Sequence, residues 1–302
     1  MADISEAFRG FHSWRGCRKI SLFGSSRAQS HDPCYRLAEE VAQLAVEAGF
    51  EVMTGAGGGV MEAANVGAGS DHSIGLNVNL PYEQQTHLFV GRGEGRLLNF
   101  RYFFTRKLFF LRESDALVVM PGGFGTFDEL FESLTLIQAG RIPPIPLVLL
   151  APVGDDFWSC WSQDMHARLC DRGLISPEDP ALLVEASSAI EAVHYISSFY
   201  RTYSSARFEE NRIELLLNAP IPQNYLATLN QLFIDLPEGG SIDADESVDG
   251  SGLPRPCLRL RFDKRKIGRL YQFIDHLNGL DLPACPALEH PGERTSRPAL
   301  QR

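Results

Sequence analysis

Short apolar runs alternate with amphipathic segments from residue 19 to about residue 200. Four of these runs are four or five residues long and have the apolar character of buried strands: Lys19–Phe23, Glu51–Thr54, Ala116–Met120 and Pro146–Leu150. Ser73–Leu80 alternates between apolar and polar residues, which also predicts a strand. Between them, apolar residues recur at helical spacing, as in Tyr35–Ala48 and Thr126–Ala139. Strands that alternate with helices predict a parallel sheet covered on both faces. We therefore expect an α/β, Rossmann-like doubly wound fold, which binds ligands at the carboxyl ends of its strands.

The pattern changes after about residue 205. Arg212–Leu217 and Cys257–Phe262 resemble strands, and each precedes a helix-like segment, Asn224–Asp235 or Ile267–Leu277. The stretch Glu238–Asp249 is predicted to be a polar loop. This β-α-β-α order indicates a small second α/β unit.

These changes of pattern predict three parts. Residues 1–204 form the Rossmann-like domain, and residues 205–281 form the small α/β domain, whose role the sequence does not indicate. Residues 282–302 contain four prolines and few apolar side chains, so we expect a disordered tail.

Composition and charge restrict the classes of function. Hydrophobic residues make up 44% of the 302 residues, which is ordinary for a globular protein. The net charge is −10, which argues against a protein that binds nucleic acid through an overall positive charge. No apolar run approaches the roughly 20 residues that span a bilayer. The six cysteines are scattered without a C-x-x-C pair, so neither a zinc site nor a disulfide framework is indicated. We expect a reduced, cytoplasmic protein with no metal, no cofactor and no membrane partner.

Two glycine clusters, Gly55–Gly59 and Gly122–Gly125, each follow a predicted strand and open a predicted helix. The free backbone amides at the start of a helix can bind an anion such as phosphate, and glycine lets a ligand approach the backbone closely. Tight turns without a ligand would explain one such cluster, but two at equivalent strand ends favour phosphate binding. Neither cluster has the dinucleotide-binding spacing or the G-K-[ST] ending of a nucleotide triphosphatase.

Charged side chains lie in the helices beside these clusters. Glu129 is one turn into the helix after the second cluster, where it would either act on a bound ligand or complement the helix dipole. Glu132 is almost one turn further and could share its face. Arg106 and Lys107 lie among phenylalanines and could extend to the surface or point into the cleft to bind an anion.

Three elements together resemble a known family. Pro121–Thr126 with Glu129 resembles the P-G-G-x-G-T-x-x-E signature of the LOG (Lonely Guy) family, long mislabelled as lysine decarboxylases. Gly55–Asn65 resembles its G-G-G-x-G-[LIV]-M-E-A-A-N element, and Arg106-Lys107 fits its R-K pair. The resemblance covers about residues 15–200 and is closer to the longer bacterial branch than to the short plant proteins.

This resemblance implies a Rossmann-like fold, assembly into homodimers or larger homo-oligomers, and phosphoribohydrolase activity. Family members use water to cleave the N-glycosidic bond of a nucleoside 5′-monophosphate, such as AMP or a cytokinin nucleotide. The products are the free base and ribose 5-phosphate. The alternative is a non-catalytic carrier, because relatives of this fold bind nucleotides or molybdenum cofactor without cleaving them.

The resemblance also implies roles for individual residues. Arg106 and Glu129 would be catalytic. Residues of the glycine loops and their neighbours would bind the substrate: Ser25, Gly57, Gly58, Gly59, Glu62, Lys107, Gly122, Gly123, Gly125 and Thr126. The chain departs from the family pattern at Phe104, where many relatives have His, at Ala56, where the pattern has glycine, and at Asn79. These departures bear on the preferred nucleobase more than on the fold.

One basic segment lies outside the resemblance. Arg255–Arg269 holds seven basic residues, which could bind nucleic acid or an anionic effector. The interpretation that we favour is a solvated face that balances the acidic segment Glu238–Asp249. Nucleic acid is therefore not an expected partner, whereas a second copy of the chain and a nucleoside 5′-monophosphate are.

Overall fold

A computed structural model describes residues 2–14, 16–78, 96–250 and 252–282. Seven parallel strands form the main sheet: β1 (Lys19–Phe23), β2 (Glu51–Thr54), β3 (Ser73–Val78), β4 (Leu97–Phe100), β5 (Ala116–Val119), β6 (Leu147–Leu150) and β7 (Val184–Ala186). Their order is β4-β3-β2-β1-β5-β6-β7. The chain runs outward from β1 to β4 and then returns to place β5 on the other side of β1. The order of the strands therefore reverses between β1 and β5, where doubly wound sheets bind their ligands.

Helices cover both faces of this sheet. The helices of this part of the chain are α1 (Ala2–Gly10), α2 (Pro33–Glu47), α3 (Val60–Ala68), α4 (Phe103–Glu113), α5 (Phe124–Gln138), α6 (Phe157–Met165) and α7 (Ala189–Phe199). One core forms where α2, α3 and α7 pack on the sheet, and a second forms on the opposite face beneath α1, α4, α5 and α6. The doubly wound α/β class predicted from the sequence is confirmed.

The chain continues into a four-stranded antiparallel sheet. Its strands are β8 (Tyr203–Phe208), β9 (Arg212–Leu217), β10 (Asp243–Val248) and β11 (Pro254–Arg261), in the order β10-β11-β9-β8. The helices are α8 (Gln223–Leu232), which follows β9, and α9 (Ile267–Gly279), which follows β11. The small C-terminal α/β unit is thus confirmed, but it consists of two β-β-α repeats rather than the predicted β-α-β-α order.

The polar segment Glu238–Asp249 was wrongly predicted to be a loop, because it contains β10. Five of the six side chains of β10 are exposed, so the segment lacks the apolar alternation that indicates a strand. Its backbone pairs with β11 from Asp243 to Val248, and Asp245 forms an ion pair with Arg259. Backbone pairing and cross-strand charge, rather than burial, therefore hold this strand.

The basic segment Arg255–Arg269 is largely engaged by acidic side chains. Its ion pairs include Arg255 with Asp249, Arg259 with Glu214 and Asp245, Arg265 with Asp263, and Arg269 with Asp235. Two of these acids, Asp245 and Asp249, belong to the acidic segment that the sequence paired with it. This arrangement supports the balancing interpretation of the two segments.

One apolar core joins the second unit to the first. The Tyr271 hydroxyl of α9 donates to the carbonyl oxygen of Ile145 at 2.8 Å, and the Ile145 amide donates back at 3.0 Å. β8 crosses the boundary predicted at residues 204 and 205, and the division into two domains stays a prediction. Residues 283–302 of the predicted tail lie outside the described residues. Within the described ranges, no helix is long and apolar enough to cross a membrane.

Candidate functional site

Three loops meet at the carboxyl ends of β1, β2 and β5, where the strand order reverses. The Ser25 amide donates to the carbonyl oxygen of Pro121 at 3.1 Å, and the Val60 amide donates to the carbonyl oxygen of Ser25 at 3.0 Å. These two bonds connect the loop after β1 to both glycine clusters. The structure therefore brings Ser25 and the two predicted phosphate loops together.

Two of the glycines are required by the loops themselves. Gly59 has a φ of +67°, and a Cβ there would lie 2.2 Å from the carbonyl oxygen of Ser25. A Cβ on Gly122 would lie 2.1 Å from Oγ1 of Thr126, a residue that is buried in the first turn of α5. These glycines allow the three loops to pack against one another.

Gly123 and Gly125 border open space instead. Apart from adjacent residues and the backbone of α5 itself, no atom of the described residues lies within 4 Å of the point where a Cβ would stand on either glycine. Gly123 caps α5, and its carbonyl oxygen accepts from the Thr126 amide at 3.0 Å. The open side at the start of this helix is where an anion would meet backbone amides and the positive end of the helix dipole.

The first glycine cluster contains a strained residue. Ala56 has a φ of 56°, a left-handed conformation that costs a non-glycine residue roughly 1 kcal/mol or more. Its amide donates to Oγ1 of Thr54 at 3.0 Å, and this hydroxyl donates to Oδ1 of buried Asn65 at 3.1 Å. The pair formed by Thr54 and Asn65, which the sequence did not single out, holds Gly57, Gly58 and Gly59 at the end of β2.

Arg106 of α4 lies beside this first cluster. Its guanidinium carbon is 4.7 Å from the centroid of the Phe103 ring and 5.8 Å from that of Phe110. Its Nη1 is 3.7 Å from the position that a Cβ on Gly55 would occupy. The aromatic rings therefore support a guanidinium that stands next to the predicted phosphate loop.

Glu129 of α5 is a buried carboxylate, with 6% of the residue exposed. Burial raises its pKa to about 7, although the nearby positive charges of Lys107 and Arg106 oppose that rise. Its Oε2 atom is buried and has no hydrogen-bond partner among the described residues. A buried acid with a raised pKa and an unused oxygen is typical of a functional group rather than a structural one.

Lys107 and Glu62 each lie close to a neighbouring helix. The Lys107 ammonium is 2.7 Å from Oδ2 of Asp128 and 2.7 Å from Oε2 of Glu132, both on α5. Glu62, in the first turn of α3, lies near α2, where burial and then its carboxylate raise the pKa of Tyr35. The sequence did not predict a role for Asp128, although its i, i+4 spacing to Glu132 was the available signal.

No cluster of three or more His, Cys, Asp or Glu side chains in the described part of the chain could hold a metal ion. The candidate site brings together backbone amides of the glycine loops, Arg106 and the buried carboxylate of Glu129, at the carboxyl ends of the strands where the strand order reverses. This combination suits an anionic ligand with a reacting centre close to the anion.

Among solved structures, the chain is similar to a molybdenum cofactor binding protein from Rippkaea orientalis. The TM-score is 0.41 and the identity 23%, over 60% of this chain and 96% of the other. It is also similar to the molybdenum cofactor carrier protein of Chlamydomonas reinhardtii, with a TM-score of 0.40 and 18% identity over 60% of this chain and 96% of the other.

Similar sequences have a consistent description. The cytokinin riboside 5′-monophosphate phosphoribohydrolase LOG2 of Arabidopsis thaliana is 26% identical over 187 residues, which are 60% of this chain and 84% of that protein. The probable phosphoribohydrolase LOGL5 of Oryza sativa subsp. japonica is 30% identical over 179 residues, 57% of this chain and 68% of that protein. A family model described as "possible lysine decarboxylase" matches residues 58–196. The chain therefore belongs to the LOG family.

Proposed function

We propose that this protein hydrolyses the N-glycosidic bond of a nucleoside 5′-monophosphate, either AMP or a cytokinin nucleotide, to a free base and ribose 5-phosphate. The observation that carries the proposal is Glu129, a buried carboxylate with an unused oxygen. Glu129 lies on the helix that starts at the second glycine loop. The positive charge of nearby Arg106 lowers the pKa of Glu129 and so opposes the effect of burial. The phosphoribohydrolase relatives support the same reaction.

The chemistry requires stabilisation of positive charge on the sugar. Cleavage passes through an oxocarbenium-like state, which an ionised Glu129 would stabilise while it orients water and takes its proton. The water oxygen forms the new bond to the anomeric carbon, and the departing base takes both electrons of the broken bond. The proton that Glu129 takes from water would then pass to the base, which yields the neutral free base and returns Glu129 to its ionised form. Arg106 would stabilise the negative charge on that base or fix the phosphate.

The glycine loops would hold the phosphate. Amides around Gly122, Gly123 and Gly125 would bind it at the start of α5, with help from Thr126, Ser25 and the loop Gly57–Gly59. Glu62 would contact the nucleotide from α3. Phosphate binding at a distance from the scissile bond positions the sugar, so remote binding energy lowers the barrier of the chemical step.

A product assay tests this function. We would incubate the protein with AMP and with isopentenyl-adenosine monophosphate and measure free base and ribose 5-phosphate. Glu129→Gln should lose turnover at least 100-fold and keep its affinity for AMP, whereas Glu40→Gln, at an exposed position on α2, should remain active. Tight binding of nucleotides without any product would overturn the proposal and favour a carrier.

We also infer that the chain forms a homodimer or larger assembly through α4 and α5. Large apolar side chains of these helices are exposed: Phe103, Phe104, Leu108, Phe124 and Phe131, with Phe124 96% exposed. An exposed patch of this kind is typical of an interface. Sedimentation equilibrium should detect the assembly and its loss in Phe104→Ser, whereas Val153→Ser, at a residue 82% exposed elsewhere, should keep it. A monomeric wild-type protein would contradict this inference.

The cytoplasm is the location that we propose. The five cysteines that the structure describes form no disulfide with one another, which suits a reducing compartment. Cell fractionation followed by immunodetection of the full chain would test this location.

A further inference from the structure

Lys107 follows Arg106 on α4, but its side chain reaches across to α5. Its ammonium group binds Asp128 and Glu132 at 2.7 Å each, and only 14% of the side chain is exposed. Burial, the largest single effect, lowers the pKa of Lys107, but the hydrogen bonds to these two carboxylates, together with the negative charges of Glu129 and Glu132, outweigh burial and raise it. The ammonium therefore stays charged and connects the helix of Arg106 to the helix of Glu129.

The two partners of Lys107 flank Glu129 on α5. The charged groups that act on Glu129 are Arg106 and Lys107 from α4, and Asp128 and Glu132 from its own helix. Lys107 is close enough to affect Glu129 electrostatically, yet its hydrogen bonds go to the flanking carboxylates. Oε2 of Glu129 accepts no hydrogen bond from any described residue.

We propose that Lys107 is a positioning residue, which fixes α4 against α5 through Asp128 and Glu132 while these acids keep its ammonium off the Glu129 carboxylate. This inference deepens the proposed hydrolysis and rests on it for its catalytic meaning. It replaces the substrate contact that the family resemblance implied for Lys107.

Glu129 and its neighbours Asp128 and Glu132 are alternative hydrogen-bond acceptors for the ammonium group of Lys107. A direct bond from Lys107 would hold Glu129 ionised, but it would also occupy the oxygen that must face water or the sugar. Asp128 and Glu132 offer two carboxylates, so the ammonium is satisfied without Glu129. Lys107 and its two partners thus have opposite electrostatic effects on the same buried acid.

Opposite substitutions should therefore shift Glu129 in opposite directions. Lys107→Met removes a neighbouring positive charge and should raise the pKa of Glu129 by about one pH unit. The double variant Asp128→Asn and Glu132→Gln removes two negative charges and releases the ammonium, so the pKa of Glu129 should fall by about one pH unit. Lys264→Met, in the turn before α9, is the matched control and should leave it unchanged.

These pKa values can be measured without turnover. We would titrate the full-length protein labelled with ¹³C at glutamate carboxyl carbons, and assign Glu129 from the signal that is lost in Glu129→Gln. In activity assays the acid limb of kcat/KM should move with each pKa. Lys107→Met should also lower kcat by 10-fold or more with less than a threefold change in KM, and Lys107→Arg should restore much of it because arginine can bridge both acids.

The two assays separate the possible failures. If nucleotides are not cleaved but the opposite pKa shifts appear, the proposed function fails and the bridge between α4 and α5 stands. If the wild type cleaves nucleotides while neither variant moves the pKa of Glu129, the positioning role is overturned. A Lys107→Met variant that loses affinity for AMP rather than kcat would also overturn it, in favour of a substrate contact.

Discussion

Burial of Glu129 favours its protonated form, whereas stabilisation of a cationic sugar requires its ionised form. With a pKa of about 7, roughly half of the carboxylate is ionised at pH 7. We predict that kcat/KM rises from pH 6 to pH 8, because that parameter follows the ionisation of the free enzyme. Measured rates across this range for wild type and the Glu40→Gln control would check the profile. Activity that falls as the pH rises would assign Glu129 the role of an acid.

The same residue should make stability depend on pH. The pKa of Glu129 is about 7 in the folded state, against 4.5 for an unperturbed glutamate side chain. The preference for the proton therefore stabilises the fold fully below pH 4.5, and this stabilisation is lost as the pH rises through 7. It amounts to about 3 kcal/mol at most.

Because glutamine cannot ionise, Glu129→Gln should not lose stability as the pH rises through 7. The free energy of unfolding of the variant minus that of wild type should therefore be larger at pH 8 than at pH 5. Urea denaturation of both proteins at the two pH values would measure this. An identical pH dependence of the free energy of unfolding in both proteins would show that Glu129 does not carry the effect.

At the scale of elements, the glycines of the second cluster have different tasks. Gly122→Ala places a Cβ 3.0 Å from the backbone of Gly24 and closer still to Thr126, so it should destabilise the protein by about 1–3 kcal/mol. Gly123→Ala meets no described atom within 4 Å and should leave the stability unchanged. Its methyl group would nevertheless stand where a phosphate approaches, so the affinity for AMP should fall about 10-fold or more.

Denaturation curves and calorimetric titration with AMP, both in the Glu129→Gln background to prevent turnover, separate these two tasks. Unchanged affinity in Gly123→Ala would exclude phosphate from the start of α5. Unchanged stability in Gly122→Ala would contradict the close packing of the three loops.

The elements that the sequence predicted and missed differ in their position in the sheets. Every strand predicted from the pattern lies inside a sheet, whereas the four missed strands, β4, β7, β8 and β10, are the edge strands. An edge strand has one backbone partner and is often partly exposed, so it lacks the apolar pattern of a central strand.

The glycine loops, Arg106 and Glu129 could be predicted because their motifs are local. The bridge of Lys107 could not, because it depends on how α4 packs against α5.

At the scale of the whole molecule, the second unit supports the far end of the helix that carries Glu129. Gln138, the last residue of α5, donates to Oδ2 of Asp179 at 2.6 Å, and the Ser176 amide donates to the same atom at 2.9 Å. α9 packs directly on this segment, where Gly268 lies against the backbone of Glu178. Residues that the LOG resemblance does not cover thus help to position an element of the candidate site.

This packing predicts that both units unfold together. A Cβ on Gly268 would lie 2.2 Å from the carbonyl oxygen of Glu178, so Gly268→Ala should push α9 away and cost about 1–3 kcal/mol. Gly279→Ala, at the other end of the same helix, meets no described atom within 4 Å and is the matched control.

All three tryptophans precede residue 162, so their fluorescence follows the first unit while far-ultraviolet circular dichroism follows the whole chain. In urea, Gly268→Ala should shift both signals to lower concentration together. A shift in circular dichroism with an unmoved tryptophan transition would mean that the first unit is stable without α9.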